Sequence, residues 1–243
     1  WTHMGLAGTH TIPRIIVHPT NPNTVYVAAS GHEWTHNEER GLYKTTDGGE
    51  SWTKVLYVDD ETGVIDLVMH PTNPDIIYVA SFGKYSAESE ERGVFRSTDG
   101  GQSWSEASGD LDRQRIQALV VDPLSPSTVY AGSFGGGVFK SVDGGSSWQL
   151  MGLEETRHIH RIIIDPTDPN TVYVGAIGSP WGEHPERGVF KTTDGGKTWN
   201  KILFVNNKTG VGDMVMDPTN PNKLIVGMWE HKRWPWFFQS GGP

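Results

Sequence analysis

Short apolar runs recur along this chain at intervals of about fifty residues, and each is followed by a proline motif. The runs occupy residues 15–17, 67–69, 119–121, 162–164 and 214–216 and read IIV, LVM, LVV, III and MVM. A continuous apolar triplet is typical of a strand that is buried on both faces. The motif that follows has the form His/Asp-Pro-x-x-Pro. Because proline does not fit inside a central strand, the motif predicts a turn.

Three further β-rich segments follow each of the first four turns. After the first turn, for example, come TVYV at residues 24–27, GLYK at 41–44 and WTKVLY at 52–57. Four short strands that recur with a period of about fifty residues are typical of one blade of a β-propeller. The sequence therefore predicts an all-β fold, a β-propeller of four-stranded antiparallel blades. No apolar pattern at the helical period is long enough to predict a helix.

The repeats predict a single propeller over residues 1–243, with four full blades and part of a fifth. The full blades cover residues 12–62, 63–112, 113–153 and 154–209. Residues 1–11 are predicted to be the last strand of a preceding blade, and residues 210–243 the first two strands of the fifth. Residues 5–15 match residues 152–162, so the pattern also repeats after 147 residues, or three blades. Two such blocks predict a ring of six blades, with seven or eight as alternatives.

One eight-residue turn, Ser/Thr-x-Asp-Gly-Gly-x-Ser/Thr-Trp, occurs at residues 45–52, 97–104, 141–148 and 192–199. Its Asp can accept hydrogen bonds from its own turn, and its glycines supply backbone angles that other residues adopt only at a cost. The following Trp is predicted to pack between sheets. Four equal copies favour a structural role over metal binding or acid catalysis, because an active site needs one asymmetric cluster. The structural aspartates are Asp47, Asp99, Asp143 and Asp194.

These turns resemble the Asp-box, or BNR, repeat of sialidases, sortilin-type receptors and two-propeller xyloglucanases. The resemblance covers nearly the whole chain, which looks most similar to sortilin-like and BNR-repeat proteins of bacteria. It implies a secreted or periplasmic location. The scaffold hosts glycosidases, receptors and assembly factors alike, so the resemblance is specific for the fold alone. Sialidases use an Arg triad, a Tyr nucleophile and an acidic Asp outside the Asp boxes, and no matching motif occurs here.

Composition excludes several classes of partner. The formal charge of −9 and a pI near 5.5 argue against nucleic acid or an anionic membrane surface, since both require a basic face. No segment is long and apolar enough for membrane insertion. The chain has no cysteine, and we expect no metal or cofactor. Nothing near Trp1 resembles a signal peptide, and residues 1–6 (WTHMGL) match residues 148–153 (WQLMGL), so we expect a piece of a longer protein whose other parts are partners.

Charged residues recur five positions before the first proline of the motif. Arg14 and Asp66, and likewise Arg161 and Asp213, hold this position in neighbouring blades. The innermost strands approach one another there, so we predict two ion pairs that fix adjacent blades. The alternative is a polar ring that binds a ligand at the mouth of the central channel.

The loops after the second and fourth strands are predicted to share one face, opposite the Asp turns and the proline turns. Five of the ten tryptophans lie in these loops, beside His and Arg residues. Aromatic rings beside polar groups are typical of carbohydrate sites. The candidate ligand-binding residues are Trp34, His36, Trp181, His184, Trp229, His231, Arg233, Trp234 and Trp236. Alternatively, these aromatic side chains are buried between loops or against other parts of the protein.

Acidic residues in the same loops offer further chemistry. The candidate catalytic residues are Glu33, Glu183 and Glu230, since glycoside hydrolysis needs two carboxyl groups about 5 to 9.5 Å apart. A Glu-Arg pair recurs at residues 39–40, 91–92 and 186–187, and recurrence favours a structural role. The spacing of His32 and His36 suits zinc on a helix. Residues 59–61 (DDE) would attract Ca²⁺ or form a solvated loop.

Together these features favour a non-catalytic, extracytoplasmic propeller that binds a carbohydrate or protein ligand, such as a peptide, on the loop face. One alternative is a glycoside hydrolase of the Asp-box type that uses a Glu/Asp pair. Another is a structural repeat segment of a larger protein.

Overall fold

The computed structural model describes residues 1–32, 35–83, 89–111, 113–234 and 236–240, with the backbone alone for residues 234 and 237–240. Regular structure in these ranges is almost entirely β-strand, in four four-stranded sheets and one three-stranded sheet. Two 3-10 turns, Ala7–Thr9 and Glu154–Thr156, are the helical segments of this described part. None of the described segments forms a helix long and apolar enough to cross a bilayer.

Each sheet is built from strands that follow one another directly in the sequence, as in a propeller blade. Blade 1 contains β1 (Arg14–Val17), β2 (Val25–Ala29), β3 (Gly41–Thr45) and β4 (Thr53–Leu56). Blade 2 contains β5 (Val64–Met69), β6 (Ile77–Ser81), β7 (Gly93–Ser97) and β8 (Ser105–Glu106). Blade 3 contains β9 (Ile116–Val121), β10 (Val129–Ser133), β11 (Val138–Ser141) and β12 (Gln149–Leu150). Blade 4 contains β13 (Ile159–Asp165), β14 (Asp168–Ala176), β15 (Gly188–Thr192) and β16 (Asn200–Leu203), and blade 5 contains β17 (Thr209–Asp217), β18 (Asn220–Trp234) and β19 (Phe237–Ser240).

Neighbouring strands within each blade run antiparallel, and the blades pack against one another in sequence order. In blade 1, for example, Val27 pairs with Ile15 on one side and with Tyr43 on the other. The core lies between blades, where Val94 of blade 2 clusters with Leu119 of blade 3. The innermost strands β1, β5, β9, β13 and β17 border one common space, which we call the central channel. The prediction of an all-β propeller with four complete blades and part of a fifth is confirmed.

The Asp turns are closed by their own side chains. Asp99 Oδ1 accepts hydrogen bonds from Ser97 Oγ at 2.8 Å and Ser103 N at 2.9 Å, and Oδ2 accepts one from Ser103 Oγ at 2.5 Å. These hydrogen bonds, Ser103 first, favour the charged form and lower the pKa of Asp99 to about 2. Equivalent contacts recur and lower the pKa at the other copies, Asp47, Asp143 and Asp194. Each carboxylate is thus occupied by its own turn, as a structural group would be.

Side chains at the Asp turns connect each blade to the next. Trp148 Nε1 of blade 3 donates to Ala107 O of blade 2 at 2.9 Å. Tyr26 OH of blade 1 donates to Gly100 O, in the Asp turn of blade 2, also at 2.9 Å. Tryptophan therefore packs between sheets, as the sequence predicts.

The three-blade repeat is present in the structure. Trp52 Nε1 donates to Met4 O at 2.7 Å, and 147 positions later Trp199 Nε1 donates to Met151 O at 2.8 Å. Met4 and Met151 each lie shortly before one of the two 3-10 turns in the sequence. The segment before blade 1 therefore contacts blade 1 in the same way as the end of blade 3 contacts blade 4.

Residues 1–11, for which the sequence predicts a strand, contain none; their regular structure is the turn Ala7–Thr9. A strand needs a neighbour to accept its hydrogen bonds, and no strand of the described chain lies beside this segment. The segment keeps its position through the contact of Met4 with Trp52.

Burial of the apolar triplets depends on the position of the blade. In the interior blades Leu67, Leu119 and Ile162 are at most 4% exposed. In blade 1, Ile15 and Val17 are 57% and 53% exposed. Burial on both faces is therefore wrong for blade 1, because within the described chain no further blade covers that face.

The segment 229–238, predicted as a loop, is mostly a hairpin. Trp229 pairs with Gly210 and Glu230 with Thr209, so the β17–β18 ladder continues past the predicted end of the strand. The chain then turns, and β19 pairs back onto β18 as a third strand that the sequence did not predict. The ladder satisfies backbone groups that a loop would leave to solvent.

Candidate functional site

The loop face is irregular in the length of the loop between the second and third strands. This loop has eleven residues in blades 1, 2 and 4 (30–40, 82–92 and 177–187) but four in blade 3 (134–137). A Cβ added at Gly135, within the short loop, would meet no atom within 4 Å. A cleft of about 610 Å³ opens over blade 3, between the loops of blades 2 and 4. We call it the blade 3 cleft.

Basic side chains dominate the charge of the blade 3 cleft. Its described lining includes four arginines, Arg92, Arg113, Arg115 and Arg157, and one acidic residue, Glu183. Arg113 Nη2 pairs with Glu90 at 2.9 Å, and Lys208 Nζ lies 4.0 Å from Glu183. On a chain with a formal charge of −9, the cleft is a local concentration of positive charge.

The floor of the cleft is built around Phe134. Its ring centroid lies 3.4 Å from that of His158, and the guanidinium of Arg115 lies 5.5 Å from it. Arg115 also lies 5.9 Å from the ring of Phe82. A guanidinium within about 6 Å of a ring centroid is attracted to the ring face. Arg115 is thus held over the floor while it remains partly exposed.

Buried arginines stabilise the long loops between the second and third strands of blades 4 and 1. Arg187 is fully buried and donates to Ile177 O at 2.7 Å, Ser179 O at 2.6 Å and Gly182 O at 3.1 Å. Arg40 binds carbonyl oxygens of its own loop in blade 1 in the same way. The arginine of the recurring Glu-Arg pair therefore stabilises the loop before the third strand.

Loop 177–187 brings Trp181 to the cleft, where the residue is 62% exposed. The guanidinium of Arg233, on β18, lies 5.7 Å from the Trp181 ring centroid, and Arg233 N donates to Pro180 O at 2.6 Å. On the other side of the loop, His184 N donates to Asn207 O at 2.8 Å. Blade 5 and the connection that leads to it thus support this wall of the cleft.

Histidines at the cleft are held in the neutral form. Burial, followed by the nearby basic groups His231, His160, Arg187 and Arg115, lowers the pKa of His158 to about 3. Burial, followed by Arg187 and Arg157, lowers the pKa of His184. His158 is therefore neutral at neutral pH, and the arginines carry the positive charge.

The structure brings together the predicted ligand-binding residues of blades 4 and 5. Trp181 and His184 line the cleft, and Arg233 contacts the Trp181 ring. Trp229 and His231 lie on β18 with ring centroids 4.6 Å apart. Burial, followed by Arg187, lowers the pKa of His231 to about 4.

The other predicted residues divide into two groups. Trp236 is 84% exposed in the turn between β18 and β19, so this ring is not buried against the described chain. Glu33, Trp34 and the side chain of Trp234 lie outside the described residues. Of the candidate catalytic residues, Glu183 lines the cleft and Glu230 lies on β18, opposite Thr209.

His36 lies in blade 1, whereas the candidates that line or border the cleft lie in blades 4 and 5. Its Nδ1 is 3.0 Å from Asp60 Oδ2, and its Nε2 is 3.8 Å from Glu61 Oε1. The ring of His32 packs instead against that of His10, with centroids 3.4 Å apart. The two histidines of the zinc-like spacing thus have different contacts, and the ligand atoms of His36, Asp60 and Glu61 lie within 4.8 Å of one another, close enough to hold a metal ion.

A smaller cavity of about 260 Å³ lies at the mouth of the central channel. Both predicted ion pairs border it: Arg14 Nε lies 2.7 Å from Asp66 Oδ1, and Arg161 Nε lies 2.8 Å from Asp213 Oδ1. The Asp66 side chain is 7% exposed and also accepts a hydrogen bond from Leu119 N of blade 3 at 2.9 Å. These contacts join neighbouring blades, which supports the structural interpretation of the pairs.

Sequence reasoning missed the arginines of the blade 3 cleft. Arg113, Arg115 and Arg157 come from two different connections between blades, and each alone resembles an ordinary surface arginine. The signal that points to the cleft is the segment GGG at residues 135–137, which stands where the other full blades have a long loop.

Sequence comparisons agree with the fold. The family model described as "Sortilin, neurotensin receptor 3" matches residues 92–203. A xyloglucanase from a Paenibacillus species is 25% identical over 251 residues, an alignment that covers 97% of this chain and 18% of that protein. The chain therefore spans about a fifth of the length of this relative.

Solved structures give the same result. A GH74 enzyme from Niastella koreensis matches with a TM-score of 0.67 and 25% identity, over 90% of this chain and 34% of that one. An ancestral GH74 enzyme matches with a TM-score of 0.68 and 22% identity, over 95% of this chain and 29% of that one. The resemblance that the repeated turns indicate is confirmed, and this chain has the fold of an Asp-box β-propeller.

Proposed function

We propose that this propeller binds a carbohydrate on its loop face, in the blade 3 cleft. The observation that carries the proposal is the exposed ring of Trp181 beside a cleft of about 610 Å³. Sugar sites combine a ring that stacks on the apolar face of a pyranose with side chains that bind its hydroxyl groups. Gln114 and His184 of the lining supply such polar groups.

The acidic residues favour binding over hydrolysis. Glycoside hydrolysis uses two carboxyl groups about 5 to 9.5 Å apart on either side of the bond. Among the described lining residues Glu183 alone is acidic, and its side chain is 55% exposed beside Lys208. The similarity to a xyloglucanase supports a polysaccharide ligand, and hence an extracytoplasmic location where such polymers occur.

The test is calorimetric titration of the chain with neutral glucan oligosaccharides, including xyloglucan fragments, and with a panel of peptides. Trp181→Ala is expected to weaken glycan binding about tenfold, the loss that one aromatic stacking contact gives. Trp1→Ala removes an exposed ring that does not line the cleft and is the control. Equal binding by the two variants, or binding of peptides but of no glycan, would contradict the proposal.

A second candidate is a glycoside hydrolase of the Asp-box type. The observation in its favour is the alignment with a xyloglucanase over 97% of this chain. Turnover of xyloglucan and of chromogenic glycosides by the purified chain would show the activity. If Glu183→Gln or Glu230→Gln then abolished turnover without loss of folding, catalysis would replace binding as the assigned function.

A further inference from the structure

The charge of the blade 3 cleft points to a narrower class of ligand, an assignment that rests on the proposed carbohydrate binding. We propose that the cleft binds an acidic saccharide whose rings carry carboxylates. Arg115 and Arg157 bind the carboxylates, and Trp181 stacks on a sugar ring.

The first support is an uncompensated charge. In the described part of the chain, neither Arg115 nor Arg157 has a carboxylate within 4 Å of its guanidinium, whereas Arg113 is paired with Glu90. The two unpaired arginines border a cleft on a chain of formal charge −9, where an acidic surface would offer abundant partners. Such a concentration of one sign raises the local concentration of ligands of the other sign.

The second support is that the fold does not require a large side chain at the position of Arg115. A backbone hydrogen bond recurs in the four full blades, from Ser30 N, Phe82 N, Phe134 N and Ile177 N to the connection before the innermost strand. The accepting residues are Thr11, Gly63, Arg115 and His158 in blades 1 to 4. The scaffold therefore accepts a small side chain at this position. A guanidinium over the short loop of blade 3 is an addition that the fold does not require.

Arg157 borders the cleft from the side of blade 4. Its carbonyl accepts a hydrogen bond from Gly135 N, so its backbone is tied to the short loop that opens the cleft. Arg157 lines the same cleft as Trp181 and His184 of loop 177–187. Arg115 and Arg157 thus approach the same space from the floor and from the wall.

Arginine suits a carboxylate because its planar fork can donate two parallel hydrogen bonds to the two oxygens. A neutral glycan would leave both guanidinium groups without a charged partner in the complex. An acidic peptide would satisfy the charges, but it would leave the exposed Trp181 ring without the pyranose face on which such a ring stacks. An acidic saccharide satisfies both features.

The test uses four probes with the intact chain: a galacturonic acid trimer, its methyl ester, a cello-oligosaccharide of equal length and a short poly-glutamate peptide. We expect the acid to bind about ten- to a hundredfold more tightly than its ester, the range expected for charged hydrogen bonds. Binding of the acid should also weaken with added salt, because the attraction is partly screened.

Variants assign the effect to the cleft. Arg115→Gln and Arg157→Gln are each expected to weaken binding of the acid about tenfold or more while the cello-oligosaccharide is unaffected. Lys197→Gln removes one positive charge from the opposite face, in the Asp turn of blade 4, and should change binding less than about twofold, since exposed distant charges are screened. Thermal melts verify folding. Arg157 is exposed, so its variant tests the proposal even if Arg115→Gln disturbs the Phe134 stack.

The outcomes separate the two proposals. Equal binding of acid, ester and cello-oligosaccharide would overturn the acidic ligand and leave carbohydrate binding intact. Tighter binding of poly-glutamate than of any sugar would overturn both. Preference for the acid that persists in both arginine variants would place the carboxylate site elsewhere and overturn the assignment of these residues.

Discussion

The two ion pairs at the channel mouth are equivalent in the three-blade repeat, but they differ in burial. Asp66 is 7% exposed in the Arg14 pair, whereas Asp213 is 64% exposed in the Arg161 pair. Burial raises the pKa of Asp66, although Arg14 and the backbone N–H groups of Leu67 and Leu119 oppose that shift. The same substitution, Arg to Gln, therefore removes the partner of a buried carboxylate in one case and of a hydrated one in the other.

Removal of one partner of a buried pair costs about 3 to 5 kcal/mol, because the other charge stays in a medium of low dielectric constant. Asp66 would keep two backbone hydrogen bonds, so we expect Arg14→Gln to lower the free energy of unfolding by about 3 kcal/mol, the low end of that range. An exposed pair contributes about 0 to 1 kcal/mol, so Arg161→Gln should have little effect. The expected difference is about 2 to 3 kcal/mol, a large part of a typical stability of about 5 to 15 kcal/mol.

The effect of Arg14→Gln should depend on pH in a defined direction. Without Arg14, the pKa of Asp66 in the folded state rises further above its unfolded value. Between those two values the folded state binds more protons than the unfolded state, so stability falls as pH rises. The loss relative to the parent chain should thus be smaller at pH 5 than at pH 7. Arg161→Gln, which leaves an exposed carboxylate without its partner, is the control for this trend.

The measurement is urea denaturation of the parent chain and both variants at the two pH values, followed by tryptophan fluorescence. Asp66→Asn in the Arg14→Gln background removes the unpaired charge and should restore most of the lost stability. Equal losses in the two arginine variants would refute the reasoning from burial. A loss in Arg14→Gln that does not diminish toward pH 5 would refute the electrostatic cause.

Two further predictions concern the scaffold. The pKa of Asp99 is lowered to about 2 in the folded state. Its ionised carboxylate therefore stabilises the fold fully above about pH 4, the unfolded pKa, and this stabilisation is lost as pH falls toward 2. Asp99→Ala should lower the thermal midpoint at pH 7 and flatten the decline of the midpoint in acid, and an unchanged midpoint would contradict this. Gly188 has φ 116° and a Cβ there would lie 2.0 Å from Leu203 O, so Gly188→Ala should cost about 1 to 3 kcal/mol or more in urea denaturation. Gly182→Ala, whose Cβ meets nothing within 4 Å, is the control and should be neutral, so equal losses would count against the steric argument.

Features that repeat along the chain could be predicted from the sequence. The Asp turn, the tryptophan between sheets and the Arg14–Asp66 pair each depend on local spacing or on one repeated position, and the structure has all three. Errors arose where a property depends on neighbours that a repeat unit does not specify. Ile15 has the sequence of a buried strand, yet it is exposed because no blade covers it within the described chain.

The blade 3 cleft was beyond sequence reasoning because it depends on distances across three blades. Arg115 and Arg157 are 42 positions apart, and the wall that carries Trp181 follows later still. Aromatic and acidic residues are concentrated in the long loops, whereas the cleft forms at the shortest loop, around Gly135. A short loop between two long loops leaves an open space, and the residue composition of the short loop does not predict that space.

Comparison of the two halves of the three-blade repeat separates scaffold from site. Arg14 and Asp66 recur 147 positions later as Arg161 and Asp213, although only the carboxylate of the first pair is buried. The same two residue types thus occur wherever the pair joins two blades, whether or not the pair is exposed to solvent. Arg157, by contrast, corresponds to His10 in the first half. The residues that form the turns and the pairs are retained between the halves, and so is Trp181 of the cleft, which corresponds to Trp34, whereas Arg157 is not. The arginine at the wall of the blade 3 cleft is therefore particular to one half of the repeat, whereas the position of the tryptophan beside it is common to both halves.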